Sequence, residues 1–145
     1  MKKSRRKARE LALKGLYQWK LTAHSASDIA KNLRDEEGFE TVDDEYFLVL
    51  LKGAMAEADA LDQQLSDQLD RPIAELSPIE HAILLIGAYE ALHCLDVPYR
   101  VVINEAVELA KSYGGTDGHK YVNGVLDKLM AQVRPTEIQA KSRKP

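Results

Sequence analysis

Apolar residues recur along most of the chain at spacings of three and four positions, which is typical of amphipathic α-helices. No segment alternates with the period of two that indicates a β-strand. The pattern predicts a first helix from an N-cap at Ser4 to about Leu21. The apolar stripe of this helix consists of Ala8, Leu11, Ala12, Leu16 and Trp19. A short second helix is predicted to begin at Ser27 or Asp28 and to end before Gly38.

Longer apolar patterns follow in the middle of the chain. A third helix is predicted over about residues 43–69, and Arg71-Pro72 ends it because proline disfavours the α conformation in the preceding residue. Ser77, Pro78 and Glu80 then have the spacing of an N-cap, a first helical position and a capping glutamate. The helix that they begin is apolar on nearly every side, so we expect it to be buried at the centre of the fold.

Two more helices complete the prediction. Val97-Pro98 begins the fifth helix, and Gly114-Gly115 is predicted to end it in the left-handed conformation that glycine favours. The core positions of the fifth helix are Ile103, Ala106, Val107, Ala110 and Tyr113. The last helix is predicted over about residues 117–133, with a core face of Val122, Val125, Leu126, Leu129 and Val133. Residues 135–145 are expected to form a frayed, basic tail.

The predicted fold class is therefore all-α, with two packed helical groups at about residues 4–70 and 73–134. A length of 145 residues fits a single domain, and Cys94 is the only cysteine, which excludes a disulfide scaffold. No stretch approaches the apolar length of a membrane span, and no apolar signal core follows the charged N-terminus. We expect a protein of the reducing cytoplasm.

Charge is distributed unevenly along the chain. Residues 1–20 carry eight lysines and arginines against one glutamate, and residues 134–145 carry a net charge of +3. The segment between them carries a net charge of −13, within a total of −3. A basic arm on an acidic body is typical of a protein that contacts a polyanion at one place. The alternative is that the arm only makes the chain more soluble.

Patterns that would support catalysis or metal binding are weak. The four histidines share no metal-ligand spacing, and no glycine-rich phosphate loop follows a strand; the histidines are His24, His81, His93 and His119. We therefore expect no enzymatic activity, no catalytic residue, no metal and no cofactor.

One side of the first helix combines basic and aromatic residues. At about 100° per residue, that side carries Arg6, Glu10, Leu13 and Tyr17, with Arg9 beside them. An exposed ring beside guanidinium groups suits single-stranded nucleic acid, because bases stack on the ring while arginines bind phosphates. The alternative is that Leu13 and Tyr17 form a second buried stripe.

A second candidate surface lies at the start of the last helix, where Lys120 and Tyr121 repeat the pairing of a cation and a ring. A helix N-terminus offers unpaired backbone N–H groups to phosphate, although Asp117 is also a natural N-cap there. Glu80 has two interpretations as well. It is either a capping-box residue, which the sequence alone favours, or a hydrogen-bond acceptor for a nucleobase.

Four segments of the chain together resemble the NusB family of bacterial transcription antitermination factors. These segments are RRKARE followed by LYQW, LSPIE followed by GAYE, VPY followed by INEAVELAK, and HKYVNGVLD. They have the order and spacing of the family, and the similarity runs from about Arg5 to Arg134.

The resemblance implies an all-helical protein of two three-helix groups that binds the single-stranded boxA element in leader RNA, chiefly of ribosomal RNA operons. It also implies a partnership with NusE, a small ribosomal subunit protein that doubles as a transcription factor. The pair would join other Nus factors on RNA polymerase and suppress premature termination. By position, the implied RNA contacts are Arg5, Arg6, Arg9, Tyr17, Glu80, Asp117, Lys120 and Tyr121.

Three positions depart from the family pattern. Tyr121 stands where phenylalanine is usual, which keeps the ring and adds a hydroxyl group. Gly118 replaces a common serine, and Leu85 replaces a frequent arginine. A related domain precedes the catalytic domain of some ribosomal RNA cytosine methyltransferases, but no cofactor-binding domain follows here, so methyltransferase activity is not expected.

Two other function classes remain open from the sequence. The fifth and sixth predicted helices would form a helix-turn-helix for duplex DNA, although the last helix offers only His119, Lys120 and Lys128 as basic residues. The other class is a protein-interaction bundle that binds no RNA.

Overall fold

The computed structural model describes residues 3–142, and every regular element within this range is helical. The α-helices are α1 (Arg5–Thr22), α2 (Ala26–Arg34), α3 (Asp44–Ala56), α4 (Ala58–Ser66), α5 (Pro78–His93), α6 (Tyr99–Tyr113), α7 (Gly118–Val133) and α8 (Pro135–Ser142). Two short 3-10 helices span Phe39–Thr41 and Ile73–Glu75. The all-α prediction is confirmed. In this part of the chain, no helix has both the length and the apolar character needed to cross a membrane.

Contacts divide the chain into two compact units, the first ending at Ala58 and the second beginning at Asp59. The sequence prediction placed the division at Arg71-Pro72, so the observed boundary lies earlier. Most of α4 belongs to the second unit, and in this unit Nε2 of His81 on α5 lies 2.7 Å from Oδ1 of Asp62 on α4. The second unit therefore contains two short helices, α4 and α8, in addition to the three expected for a helical group.

A single non-helical residue interrupts the long third helix that the sequence predicts. Glu57, at φ −109° and ψ 17°, separates α3 from α4. The buried positions continue across this break, with Ala54 before it and Leu61 and Leu65 after it. A hydrophobic period shows which face is buried and therefore does not reveal an interruption of one residue. The helix also ends at Ser66, earlier than predicted.

The start of α1 is fixed by its N-cap and by the segment before α3. The Ser4 side chain accepts a hydrogen bond from the backbone N–H of Lys7, as the sequence predicts. The backbone N–H of Ser4 donates to the carbonyl of Thr41 over 2.8 Å, and the Ser4 carbonyl accepts from Asp43 over 3.1 Å. The first turn of α1 therefore lies beside the start of α3, which Asp43 caps.

The helices of the first unit pack closely around Gly15. A Cβ atom at this position would lie 2.8 Å from Cδ1 of Leu51 on α3 and 3.2 Å from Cγ2 of Ile29 on α2. The predicted apolar stripe of α1 faces this core, since its first four members are buried; these are Ala8, Leu11, Ala12 and Leu16.

Helix α5 is the most buried helix of the second unit, as predicted. The Ser77 side chain accepts from the backbone N–H of Glu80, and Pro78 occupies the first turn. Seven consecutive residues, Ala82 to Ala88, are buried. At Gly87 a Cβ atom would lie 2.9 Å from Cδ1 of Leu126, so α5 and α7 pack closely there.

Several predicted helix ends and core positions are wrong in detail. Helix α2 begins at Ala26, because Ser25 is the N-cap. Gly114 ends α6 in an extended conformation with φ −85°, not in the left-handed region. Tyr113, in the last position of α6, is 41% exposed, while Val102 and Leu109 are buried instead. Residues 135–142 form α8 rather than a frayed tail, and residues 143–145 lie outside the described residues.

A buried arginine connects the ends of three helices in the second unit. Arg134 follows α7, is 5% exposed, and forms an ion pair of 3.1 Å with Glu137 on α8. Its guanidinium donates to the backbone carbonyls of Glu90, Ala91, Cys94 and Val97. Oε2 of Glu137 accepts from the backbone N–H of Tyr99 at the start of α6 over 2.8 Å. One side chain thus binds four carbonyls at and just after the end of α5, and two of them, those of Glu90 and Cys94, also accept backbone N–H groups.

The substitution Arg134→Ala is expected to lower the free energy of unfolding by about 3–5 kcal/mol, because it removes one side of a buried charged network. Urea denaturation followed by circular dichroism measures this loss. Lys128→Ala, on an exposed position of α7, is the control and is expected to stay within about 0.5 kcal/mol of the parent. Similar unfolding midpoints for the two variants would contradict the assigned role.

Candidate nucleic-acid interface

Two lysines at the start of α1 are tied to the segment that leads into α3. The Nζ atom of Lys3 donates to the carbonyl of Glu40, and Nζ of Lys7 donates to Oγ1 of Thr41 over 2.8 Å. Both lysines are exposed. The positive charge that the sequence places on an arm therefore belongs, from residue 3 onward, to the folded surface of the first unit.

Tyr46 on α3 organises two of the arginines that the resemblance assigns to RNA. The Cζ atom of Arg5 lies 4.1 Å from the ring centroid of Tyr46, and that of Arg9 lies 5.5 Å away. The Nε atom of Arg5 is also 4.0 Å from Oδ2 of Asp43. Sequence analysis did not single out Tyr46; the available signal was the spacing of four between the arginines, which places them on one helix face.

The two arginines differ in exposure. Arg5 is exposed, whereas only 4% of Arg9 is accessible to solvent. A direct bond to phosphate needs an accessible guanidinium, so the burial of Arg9 departs from the expectation that all three arginines are open to RNA. The reason is its position on the side of α1 that faces Tyr46.

Tyr17 and Arg6 are both exposed on the same side of α1. Eleven positions separate them, which corresponds to about 16 Å along the helix. Tyr17 is 37% exposed, while Leu13, which lies between them, is 2% exposed. The interpretation of a second buried stripe therefore holds for Leu13 and is wrong for Tyr17.

In the second unit, Glu80 lies in the first turn of α5 and bonds the N-cap residue, Ser77. Its backbone N–H donates to Oγ of Ser77 over 3.1 Å, and that hydroxyl donates to Oε1 of Glu80 over 3.1 Å. Ser77 is therefore the N-cap, but the Glu80 carboxylate accepts from the Ser77 hydroxyl and not from its backbone N–H, the bond that completes a capping box. These bonds use only one carboxylate oxygen, and a Cβ atom at Gly118 of α7 would lie 3.6 Å from the other, Oε2. A serine hydroxyl at position 118 would therefore be adjacent to Glu80.

Asp117 occupies the predicted N-cap position of α7, but its side chain accepts no capping hydrogen bond. Its backbone is left-handed, with φ 64°, and Oδ1 lies 3.4 Å from Nζ of Lys120. The two side chains are 68% and 73% exposed. At this exposure both charged groups are accessible to a ligand. Their ion pair contributes little to stability, because it is exposed to solvent.

The loop between α4 and α5 contributes two residues that sequence analysis missed. Oδ1 of Asp70 accepts a hydrogen bond from the Tyr121 hydroxyl over 3.1 Å and another from Nε of Arg71 over 2.8 Å. The guanidinium of Arg71 lies over the Tyr121 ring, with Cζ 4.6 Å from the centroid. In the sequence, the only indication of these contacts is the tyrosine at position 121, where phenylalanine is usual, because its added hydroxyl group needs a hydrogen-bond partner.

These contacts shift the pKa values of Asp70 and Tyr121 in opposite directions, each away from neutral pH. The hydrogen bonds from Arg71 and then from Tyr121 lower the pKa of the Asp70 carboxyl. Burial, followed by the hydrogen bond to Asp70, raises the pKa of the Tyr121 phenol. At neutral pH the cluster therefore consists of a carboxylate, a guanidinium and a neutral phenol.

The structure also describes the surroundings of Leu85 and the arrangement of potential metal ligands. Leu85, where an arginine is frequent in the family, is completely buried and packs in the core. Among residues 3–142, no group of three or more potential ligand side chains is arranged to bind a metal ion.

The sequence of the chain is similar to the NusB family along most of its length. The sequence model of the NusB family matches residues 6–131. Transcription antitermination protein NusB of Ralstonia nicotianae is 56% identical over 140 residues, which cover 97% of this chain and 90% of that protein. Its counterpart in Thiobacillus denitrificans is 57% identical over 141 residues, which cover 97% of each chain.

Solved structures agree with this similarity. The structure of T. maritima NusB has a TM-score of 0.85 and 28% identity, and it covers 96% of this chain and 99% of its own. A structure of the antitermination factors NusB and NusE in complex with double-stranded RNA has a TM-score of 0.80 and 26% identity. That match covers 88% of this chain and 96% of the other. From the family match and the relatives with more than half of their residues identical, the chain belongs to the NusB family, a family of non-enzymatic proteins.

Proposed function

We propose that the chain is a transcription antitermination factor that binds the single-stranded boxA element of ribosomal RNA leader transcripts together with NusE. Relatives with more than half of their residues identical are antitermination proteins, and a structural relative has been solved with NusE and double-stranded RNA. The observation that carries the proposal is the exposure of Tyr17 in line with Arg6 on α1. A basic and aromatic helix face of this kind suits unstacked RNA.

In this proposal the protein is a cytoplasmic scaffold without catalysis, metal or cofactor. It joins boxA RNA to NusE, and the pair then associates with other Nus factors on RNA polymerase. The start of α1 attracts RNA of any sequence, because contacts with phosphate carry no base information. Arg5 and Arg6 bind phosphates directly, while the buried Arg9 contributes through its charge.

Base discrimination is assigned to the remaining predicted contacts. The rings of Tyr17 and Tyr121 stack on unpaired bases. Glu80 and Asp117 accept hydrogen bonds from base N–H groups, and Lys120 adds a cation beside them. The exposed Asp117–Lys120 pair and the unused Oε2 atom of Glu80 support this assignment.

Fluorescence anisotropy with labelled boxA RNA, a scrambled RNA and a duplex RNA, with and without NusE, tests the proposed function. We expect a preference for boxA that increases with NusE. If about four phosphates are neutralised, affinity should fall about fifty-fold between about 50 and 200 mM salt. Equal binding of boxA and scrambled RNA would leave only a generic basic surface. Preference for the duplex RNA would contradict recognition of a single strand, and no RNA binding would favour a protein-interaction bundle.

Arg6→Ala is expected to weaken binding of boxA and scrambled RNA alike. The loss of one phosphate contact should also make the logarithmic salt dependence shallower by about 0.7. Lys52→Ala, an exposed lysine on α3, is the matched control and should leave the salt dependence unchanged. A salt dependence for Arg6→Ala equal to that of the parent would remove Arg6 from the phosphate contacts.

Tyr17→Ala is expected to weaken boxA binding about tenfold, because stacking of one base on an aromatic ring contributes about 1–3 kcal/mol. The salt dependence should not change, and the preference for boxA over scrambled RNA should decrease. Tyr113→Ala is the control, since Tyr113 is similarly exposed, at 41% against 37% for Tyr17. Equal effects of the two substitutions would contradict a specific role for Tyr17.

A further inference from the structure

Asp70 and Arg71 together form a clip over Tyr121. The family resemblance assigns neither of these two residues to RNA. Asp70 accepts from Nε of Arg71 over 2.8 Å and from Nη2 over 3.4 Å. The same carboxylate accepts the hydroxyl hydrogen of Tyr121. The guanidinium over the ring is thus held in one orientation by two bonds, and these bonds leave Nη1 unused.

This clip is not required for packing of the core. The side chains of Asp70 and Arg71 are 65% and 45% exposed. The start of α5 that follows them has its own N-cap, Ser77. Exposed ion pairs contribute about 0–1 kcal/mol to folding. The arrangement therefore organises a surface and adds little to stability.

Arg71 is also within electrostatic reach of a second predicted RNA contact. The hydrogen bond with Asp70 and, to a smaller extent, the negative charge of Glu80 raise the pKa of the Arg71 guanidinium. Glu80 and Tyr121 are both assigned to RNA by the family resemblance. A nucleotide that approaches the covered side of the Tyr121 ring meets the guanidinium of Arg71 first.

We propose that Arg71 is a further RNA-contacting residue, and that Asp70 positions its guanidinium over Tyr121 so that an unpaired base stacks on the guanidinium. The inference rests on the proposed RNA-binding function. Bases stack on arginine planes as well as on aromatic rings. A planar, pre-oriented guanidinium also loses less side-chain freedom on binding than a lysine ammonium group. Nη1 remains available to an acceptor on the same nucleotide.

The test measures anisotropy of boxA and scrambled RNA with the full chain and with the variants Arg71→Ala, Arg71→Lys and Asp70→Asn. Arg100→Ala is the matched control. Arg100 lies over the ring of Tyr99 at 5.7 Å and donates from Nε to its hydroxyl, so this variant removes a similar pair elsewhere in the same unit. Thermal unfolding of each variant verifies that the fold is retained.

We expect Arg71→Ala to weaken boxA binding about tenfold, in the range that stacking of one base contributes. Arg71→Lys should have the salt dependence of the parent but should recover less than half of the affinity lost in Arg71→Ala, on a logarithmic scale. Lysine restores the positive charge but not the planar group on which a base stacks. Asp70→Asn should weaken binding about two- to threefold, and Arg100→Ala should bind like the parent.

Three results with the Arg71 variants would overturn the inference. Unchanged affinity of Arg71→Ala would make the clip purely structural, and tighter binding would show that Arg71 covers a ring face that RNA needs. Full recovery by Arg71→Lys would reduce its role to charge. If the parent chain itself shows no preference for boxA, the proposed function fails and the inference fails with it. If the parent prefers boxA and Arg71→Ala matches it, only the inference fails.

Discussion

The buried guanidinium of Arg134 is the interaction on which the second unit depends. It pairs four carbonyls around the end of α5, and through Glu137 it is linked to the first backbone N–H of α6. A buried charge is tolerated only when its hydrogen bonds are complete, so these helix ends have little freedom to shift relative to one another. Glu80 lies in the first turn of α5 and Tyr121 in the first turn of α7, so the predicted RNA contacts of the second unit lie at the opposite ends of these two helices.

An arginine guanidinium lies over a tyrosine ring at more than one place in the structure. In the first unit Arg5 and Arg9 lie over Tyr46, and in the second Arg71 lies over Tyr121. In both of these arrangements a carboxylate lies near an arginine: Asp43 is 4.0 Å from Arg5, and Asp70 accepts two hydrogen bonds from Arg71, which orient its guanidinium. An arginine held in this way loses less freedom when it binds a second partner, because part of its rotamer entropy is already lost in the free protein.

The sequence predicted those features that depend on local chemistry. Ser4 and Ser77 cap their helices as expected, and the apolar run of α5 is buried, because caps and periodicity are properties of neighbouring residues. The burial of Arg9 and the covering of Tyr121 by Arg71 depend on residues far apart in sequence, and the interruption at Glu57 leaves the hydrophobic period unchanged. Spacing along one helix placed Tyr17 with the arginines, but it carries no information about a loop that approaches from another part of the chain.

The distribution of charge has a kinetic consequence. The exposed cations of the first turn of α1 are fixed to the segment before α3, while residues 21–133 carry a net charge of −13. A polyanion in solution is attracted to these cations and repelled by the acidic residues of the chain, so its first collisions are biased towards the start of α1 before any base is recognised. Beyond the Debye length of about 8 Å at physiological ionic strength this guidance fades. Association should therefore slow with added salt more steeply than dissociation accelerates.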